Sequence, residues 1–269
     1  MKKVLSILSA LLMISLVTTA QFDDKFYFPS TNVRPIDSAG TLNVEKVTLR
    51  TDTVSLTAVW LTPKSKPKAT ILFFHGAGGN VSTYMFMARP MVQDGYQVLL
   101  VDFRGYGNST GKPTHLNIAK DAQLFFDYLL NRKEVAGTKI IVLGASIGTQ
   151  VATKLAHDNQ SKVAGLVLDS PMSSFTDIAM FYAPKEQHQS IQQILKSPYS
   201  AKDDIKYLTQ IPVLVLHGRE DKECPFEMSQ TVYNAAPGKK DFWAYTGGHL
   251  EAMKLYPQEY LQHMNGLLQ

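Results

Sequence analysis

The chain has 269 residues, 45% of them hydrophobic, enough for one large α/β core or two small ones. Its formal charge is only +4, and without Lys2 and Lys3 basic residues outnumber acidic ones by two. Nothing in it resembles the basic stripe of a nucleic-acid binder, and one cysteine, Cys224, rules out an intramolecular disulfide framework.

The first twenty residues read as an export signal. "MKK" is a charged n-region, "VLSILSALLMISLV" an apolar h-region, and "TTA" supplies small residues before a cut after Ala20. The apolar stretch is short against the roughly 20 residues of a membrane span. The expectation is a secreted or periplasmic chain beginning at Gln21, with an uncleaved anchor as the alternative. No cysteine near the cut could carry a lipid.

An irregular aromatic segment, "QFDDKFYFPSTNVRP", comes next. "NVEKVTLRT" and "SLTAVWLTP" alternate apolar and polar residues around "TDT", which predicts an antiparallel hairpin. From Thr70 onward the pattern changes to short apolar runs: "TILFF", "QVLLV", "KIIVL", "VAGLVL" and "PVLVLH". Each fits a parallel strand buried on both faces. Helices are expected between them, over Ser82–Asp94, Leu116–Lys133, Ile147–Asp158 and Phe226–Ala235, with a last strand at "DFWAY" and a helix at "PQEYLQHMNGLL". Strands alternating with helices predict a doubly wound, mostly parallel sheet. The stretch of about forty residues between Asp169 and Pro212 exceeds a plain crossover. A short helical cap inserted at about 171–205 into a single domain over 21–269 is the expected reason.

"GASIG", Gly144 to Gly148, sits where the strand "KIIVL" hands over to a helix. Ligands of α/β sheets bind beyond the carboxyl ends of the strands, so a serine on that sharp turn is held at the productive edge. Flanking glycines remove Cβ atoms where strand, turn and helix crowd. A serine hydroxyl needs a base, and the base needs an orienting acid. "PVLVLHGREDKECP" places Asp221 four residues past a buried strand, with Glu220 and Glu223 as fallback acids, and "DFWAYTGGHLEA" places His249 after the last strand. In "LFFHGAGGN" the glycines let backbone amides approach a substrate. Ala77 and Ile147 are the expected main-chain donors of an oxyanion hole.

The set "HGAGGN", "DFRGYGNSTG", "GASIG", "DSPMSSF", "HGREDKECP" and "GGH" resembles the α/β-hydrolase superfamily. It is most similar to small serine esterases, lipases and acyl-protein thioesterases, from about Phe26 to the C-terminus. The resemblance implies the α/β-hydrolase fold, Ser146 as nucleophile, Asp221 as orienting acid and His249 as base, with no cofactor. Cys224 departs from the small aliphatic residue common before the proline, a swap that is conservative for packing.

Other polar residues read as structural. His75 and His217 each precede a glycine at a strand end and brace loops. Asp102 and Arg104 are expected to form a buried charge network. His115, His157, His188 and His263 are scattered without metal-ligand spacing. Met172, Phe175, Met180 and Phe181, after Asp169, are expected to line an apolar acyl pocket beside Ser146. The expected function is therefore hydrolysis of a carboxylic ester or thioester of a small acyl or lipid-like substrate, with no nucleic acid or stable membrane anchor as partner. A peptidase of the same fold and a non-catalytic binding protein on this scaffold are the alternatives, the second opposed by an intact Ser, Asp and His set.

Overall fold

The computed structural model describes residues 20–23, 25–37 and 40–269. The expected export signal, over 1–20, falls almost entirely outside them. Among the described residues no helix is long and apolar enough to cross a membrane.

Eight strands form one sheet, in the spatial order 240–245, 213–218, 165–169, 140–145, 69–74, 96–101, 55–62 and 43–50. The hairpin is β2 (Asn43–Arg50) and β3 (Ser55–Thr62), antiparallel to each other and to β6 (Tyr96–Val101). From β6 onward every pairing is parallel, through β4 (Ala69–Phe74), β7 (Ile140–Ala145), β8 (Gly165–Asp169), β9 (Val213–Gly218) and β10 (Lys240–Tyr245). The five apolar runs are these strands, and β4, β6, β7, β8 and β9 are buried at every position. Covering both faces is what makes them continuous rather than alternating. Full burial of one such Val, Leu or Ile contributes about 1.5–3 kcal/mol.

Two apolar layers lie on opposite faces of the sheet. One joins helices 115–130, 148–158 and 226–235 through Phe125, Val151 and Val232. The other joins helices 85–93, 252–255 and 257–266 through Met87, Met253 and Tyr260. The expected helix at Ser82 begins three residues later, because Asn80–Tyr84 close into turns (Thr83 N–H to Asn80 O, Tyr84 N–H to Val81 O). Thr114 starts the long helix by accepting the Asn117 amide, a side-chain cap. A short parallel pair, β1 (Phe28–Pro29) with β5 (Gly78–Gly79), ties the aromatic leading segment to the glycine loop.

Between β8 and β9 the chain forms helices 175–182, 188–194 and 201–204. Ser174 and Ser200 cap the first and last by accepting the Asp177 and Asp203 amides. Gln150 fastens the segment to the sheet's helices, its amide donating to the Met172 carbonyl (2.6 Å) and its oxygen accepting the Ala201 amide (3.1 Å).

Candidate active site

Ser146 follows β7 on a turn with φ of 54°, a left-handed conformation that costs energy for a residue with a Cβ. Neighbouring contacts hold it there. Its amide donates to the Asp169 carbonyl (2.8 Å), and its own carbonyl accepts the Thr149 amide (3.0 Å) and the Thr149 hydroxyl (2.5 Å). A Cβ on Gly144 would come within 2.6 Å of the Thr149 backbone, and one on Gly148 would strike the Phe74 and His75 carbonyls. Only glycine lets the helix start this close to the strand ends. Helix 148–158 points its N-terminus at the serine, where its dipole favours developing negative charge.

Asp221 and His249 come from the loops after β9 and β10, and the structure brings them together. The Asp221 side chain is fully buried; its Oδ2 accepts His249 Nδ1–H at 2.7 Å. With that proton on Nδ1, the neutral ring keeps a lone pair on Nε2. The same Oδ2 lies 3.1 Å from His217 Nε2, which also donates to the Cys224 carbonyl at 2.9 Å. Oδ1 accepts the Glu223 and Cys224 amides at 2.9 and 2.8 Å. Burial alone would raise the Asp221 carboxyl, but hydrogen bonds from His217 and His249 overcome it and hold the group well below the carboxylate range. Burial works against a charged His249, yet the Asp221 hydrogen bond and charge raise its imidazole above the ordinary histidine value. Of the fallback acids, Glu223 is 74% exposed and lies 4.0 Å from His249 Nε2, and Glu220 is exposed.

The His75–Gly79 loop runs over the Ser146 turn: a Cβ on Gly76 would sit 3.4 Å from Ser146 Cβ. Ala77 is fixed through its carbonyl, which accepts Tyr106 Oη (2.5 Å) and the Phe28 amide (2.9 Å). Its amide and that of Ile147 donate to no backbone carbonyl among the described residues. His75 is buried and neutral, burial pushing its imidazole down to about 4. Its Nδ1 donates to the Gly76 carbonyl at 2.7 Å, so it shapes the loop. Asp102 and Arg104 do not pair. Asp102 accepts the Val81 amide (2.8 Å), while Arg104 makes a two-pronged bridge to Asp121 (2.5 and 2.6 Å). Strand alternation would put positions 102 and 104 on one face, but β6 ends at Val101 and Arg104 lies in the turn closed by the Tyr106 amide on the Phe103 carbonyl, which carries its guanidinium to Asp121.

Ser146 opens onto a cavity of about 490 Å³ that is apolar for most of its wall. Ala77 and Ile147 lie beside the serine, and Glu223, close to His249 Nε2, stands on the same wall. No hydrogen bond joins Ser146 to His249 among the described residues; in unliganded sites such contacts are often long and tighten on binding. Of the four expected pocket residues only Met172 lines this cavity. Phe175 turns the other way and stacks on His115 with ring centroids 3.5 Å apart, 1% exposed. Met180 faces a separate polar hollow with Asp177 and Lys202. Phe181 stands 49% exposed against Tyr182. The wall instead uses Ile178, Ala179 and Tyr182, together with Phe26 and Phe28. Ile178 and Tyr182 share a helix face by their i, i+4 spacing, a signal present in the sequence. The two phenylalanines carry none, since their place depends on β1 pairing with β5. Cys224 is buried as expected of packing, and it also borders the cavity.

Among the described residues no group of His, Cys, Asp and Glu is arranged to hold a metal ion. A family model described as serine aminopeptidase, S33, matches residues 65–197. Protein bem46 of Schizosaccharomyces pombe is 32% identical over 190 residues, covering 68% of this chain and 62% of the yeast protein. The chain thus spans less than two thirds of that relative. Esterase Pf2001 of Pyrococcus furiosus superposes with a TM-score of 0.71 at 19% identity, over 90% of this chain and 98% of its own, a likeness of fold. An alpha-beta hydrolase from Vibrio vulnificus is 26% identical with a TM-score of 0.66, over 83% and 81% of the two chains.

Proposed function

Because this chain belongs to the α/β-hydrolase superfamily, we propose that it is a serine hydrolase that cleaves carboxylic esters or thioesters through an acyl-enzyme. The observation that carries this reading is the strained Ser146 turn facing an apolar cavity, with a buried Asp221 holding His249 so that Nε2 is free. Ser146 Oγ attacks the acyl carbon while His249 Nε2 takes its proton. The resulting oxyanion is met by the Ala77 and Ile147 amides and by the start of helix 148–158. His249 then returns the proton to the leaving alkoxide or thiolate as the acyl C–O or C–S bond breaks. Water, deprotonated by the same nitrogen, releases the acid and restores the serine. Asp221 fixes the tautomer and stabilises the imidazolium in both halves, and the mechanism needs no cofactor.

A second reading has one observation in its favour. Glu223 places a carboxylate on the cavity wall, 4.0 Å from His249 Nε2, where it could hold a substrate amine. An aminopeptidase, the activity named by the matching family model, would use such a group. The ester reading fits the rest of the wall better, because the other side chains around Ser146 are mainly aromatic and aliphatic. The two are separated by turnover of p-nitrophenyl esters against aminoacyl p-nitroanilides. Ester hydrolysis with kcat/KM at least about a hundredfold above the anilides, a gap of roughly 2.7 kcal/mol, is expected. Preferential anilide hydrolysis that disappears in Glu223→Gln would favour the peptidase instead.

A further inference from the structure

Phe22, Asp23 and residues 25–28 cross the side of the cavity as a strap held at both ends. Asp23 Oδ1 lies 3.1 Å from His115 Nε2, and the Tyr27 hydroxyl 2.7 Å from His115 Nδ1. At the far end the Phe28 amide donates to Tyr106 Oη and to the Ala77 carbonyl, each at 2.9 Å. Between these anchors the Phe26 ring is held edge-on to His115 and Phe175, with centroids 5.2 and 5.4 Å away. A ring with that many fixed neighbours is a wall rather than a loose side chain.

Behind that wall lies a second hollow of about 410 Å³, and Lys25, Phe26 and Ala179 border both. Its floor is Ile191, Ile194 and Leu195, with Phe22 on the strap side. Phe22 and Ile194 remain 38% and 47% exposed, an unfavourable placement for two large apolar side chains that a ligand would relieve. Helix 188–194 buries none of its residues, so packing alone does not account for apolar side chains turned to this hollow. On the helix side the shared wall is a single methyl group, that of Ala179.

We propose that the two hollows are two chambers of one acyl-binding channel, entered at Ser146 and narrowed between Phe26 and Ala179. The substrate class is then esters or thioesters of long, unbranched fatty acids. This rests on the reading of Ser146 as nucleophile. The first chamber alone has the volume of a small ligand site, and the two together approach the upper end of the usual range. A waist between a fixed aromatic ring and a methyl passes a flexible methylene chain and rejects branched or aromatic acids. Among the described residues the second chamber offers no fixed cation to a distal acid, because Lys25 is exposed, so the acyl chain's far end is apolar.

The test compares p-nitrophenyl acetate, octanoate and palmitate on the full chain and on Ile191→Gln and Ile194→Gln. Each methylene brought into contact should raise kcat/KM up to about fourfold, so the wild type should favour palmitate over octanoate. Both variants should lower the palmitate-to-acetate ratio by about tenfold or more. Binding of cis-parinaric acid to Ser146→Ala supplies a readout independent of turnover, and adding Ile194→Gln to that background should weaken it by a similar factor. Should no ester be hydrolysed while the chamber substitution still weakens parinarate binding, the serine-hydrolase reading falls and the channel stands. A wild-type profile flat beyond octanoate, or parinarate binding indifferent to Ile194→Gln, overturns the channel.

Discussion

Replacing His249 by alanine is expected to lower kcat for an ester by about 10²–10⁴-fold or more, the usual worth of a positioned general base. The fold should survive, because the imidazole lies in a loop at the sheet edge and retains partial exposure. The wild type should also show a characteristic acid limb. As the proposed base, His249 would act only when neutral, and its pKa is raised, since the Asp221 contact outweighs burial. Turnover should therefore fall as pH drops through a value above about 6.5, the ordinary histidine figure, and be restored above it. A midpoint well below that figure would mean that another group serves as base. Near-normal turnover by His249→Ala would exclude this residue outright.

Asp221→Asn is the second large effect, and it should appear in both rate and stability. The carboxylate takes four donors: the Glu223 and Cys224 amides on one oxygen, and His217 and His249 on the other. An asparagine has one acceptor oxygen, so in either flip its NH₂ meets two donors, at least one of them buried or partly buried. If it faces the amides, the loop loses its anchor; if it faces the histidines, His249 loses the tautomer that frees Nε2. A buried donor without a partner costs about 1–3 kcal/mol, which should lower the urea midpoint clearly. The rate should fall by roughly 10⁴-fold, as when a buried orienting acid is neutralised in a comparable triad. The residual acid limb should move to lower pH, since the influence raising His249 is gone while burial remains. Stability carries a further sign. Asp221 is depressed in the folded chain, so its contribution is full above about 3.9, the unfolded value, and fades as pH falls toward the folded value. The variant should lack that component of acid destabilisation. Wild-type stability and rate in Asp221→Asn would remove the residue from the proposed machinery.

The sheet was legible because strands covered on both faces must be apolar throughout, and "TILFF" or "PVLVLH" can hardly be anything else beside helical neighbours. The placement of Ser146, Asp221 and His249 at one edge of the sheet was legible for a related reason. Each follows a strand end within a few residues, and parallel strands carry all such positions to one edge. Residues whose placement depends on distant partners were not. Phe175 was expected in the pocket, but the ring of His115, far away in sequence, takes it into the core. Phe26 lay in an apparently irregular segment and proves to be a wall, because His115 also anchors the strap around it. Arg104 was assigned to Asp102, its near neighbour, whereas Asp121, on the next helix, offers both carboxylate oxygens in the geometry a guanidinium prefers. His217 looked like a loop brace, and it is one through the Cys224 carbonyl, but it also reaches the acid that orients His249.

The most direct test of the central claim is labelling with a fluorophosphonate, whose phosphorus is attacked only by a serine activated as described. Peptide mapping of the labelled full chain should find the adduct on Ser146 alone, with loss of esterase turnover in proportion to labelling. Ser146→Ala should take up no label. An adduct on any other residue, or equal labelling of the alanine variant, would contradict the account.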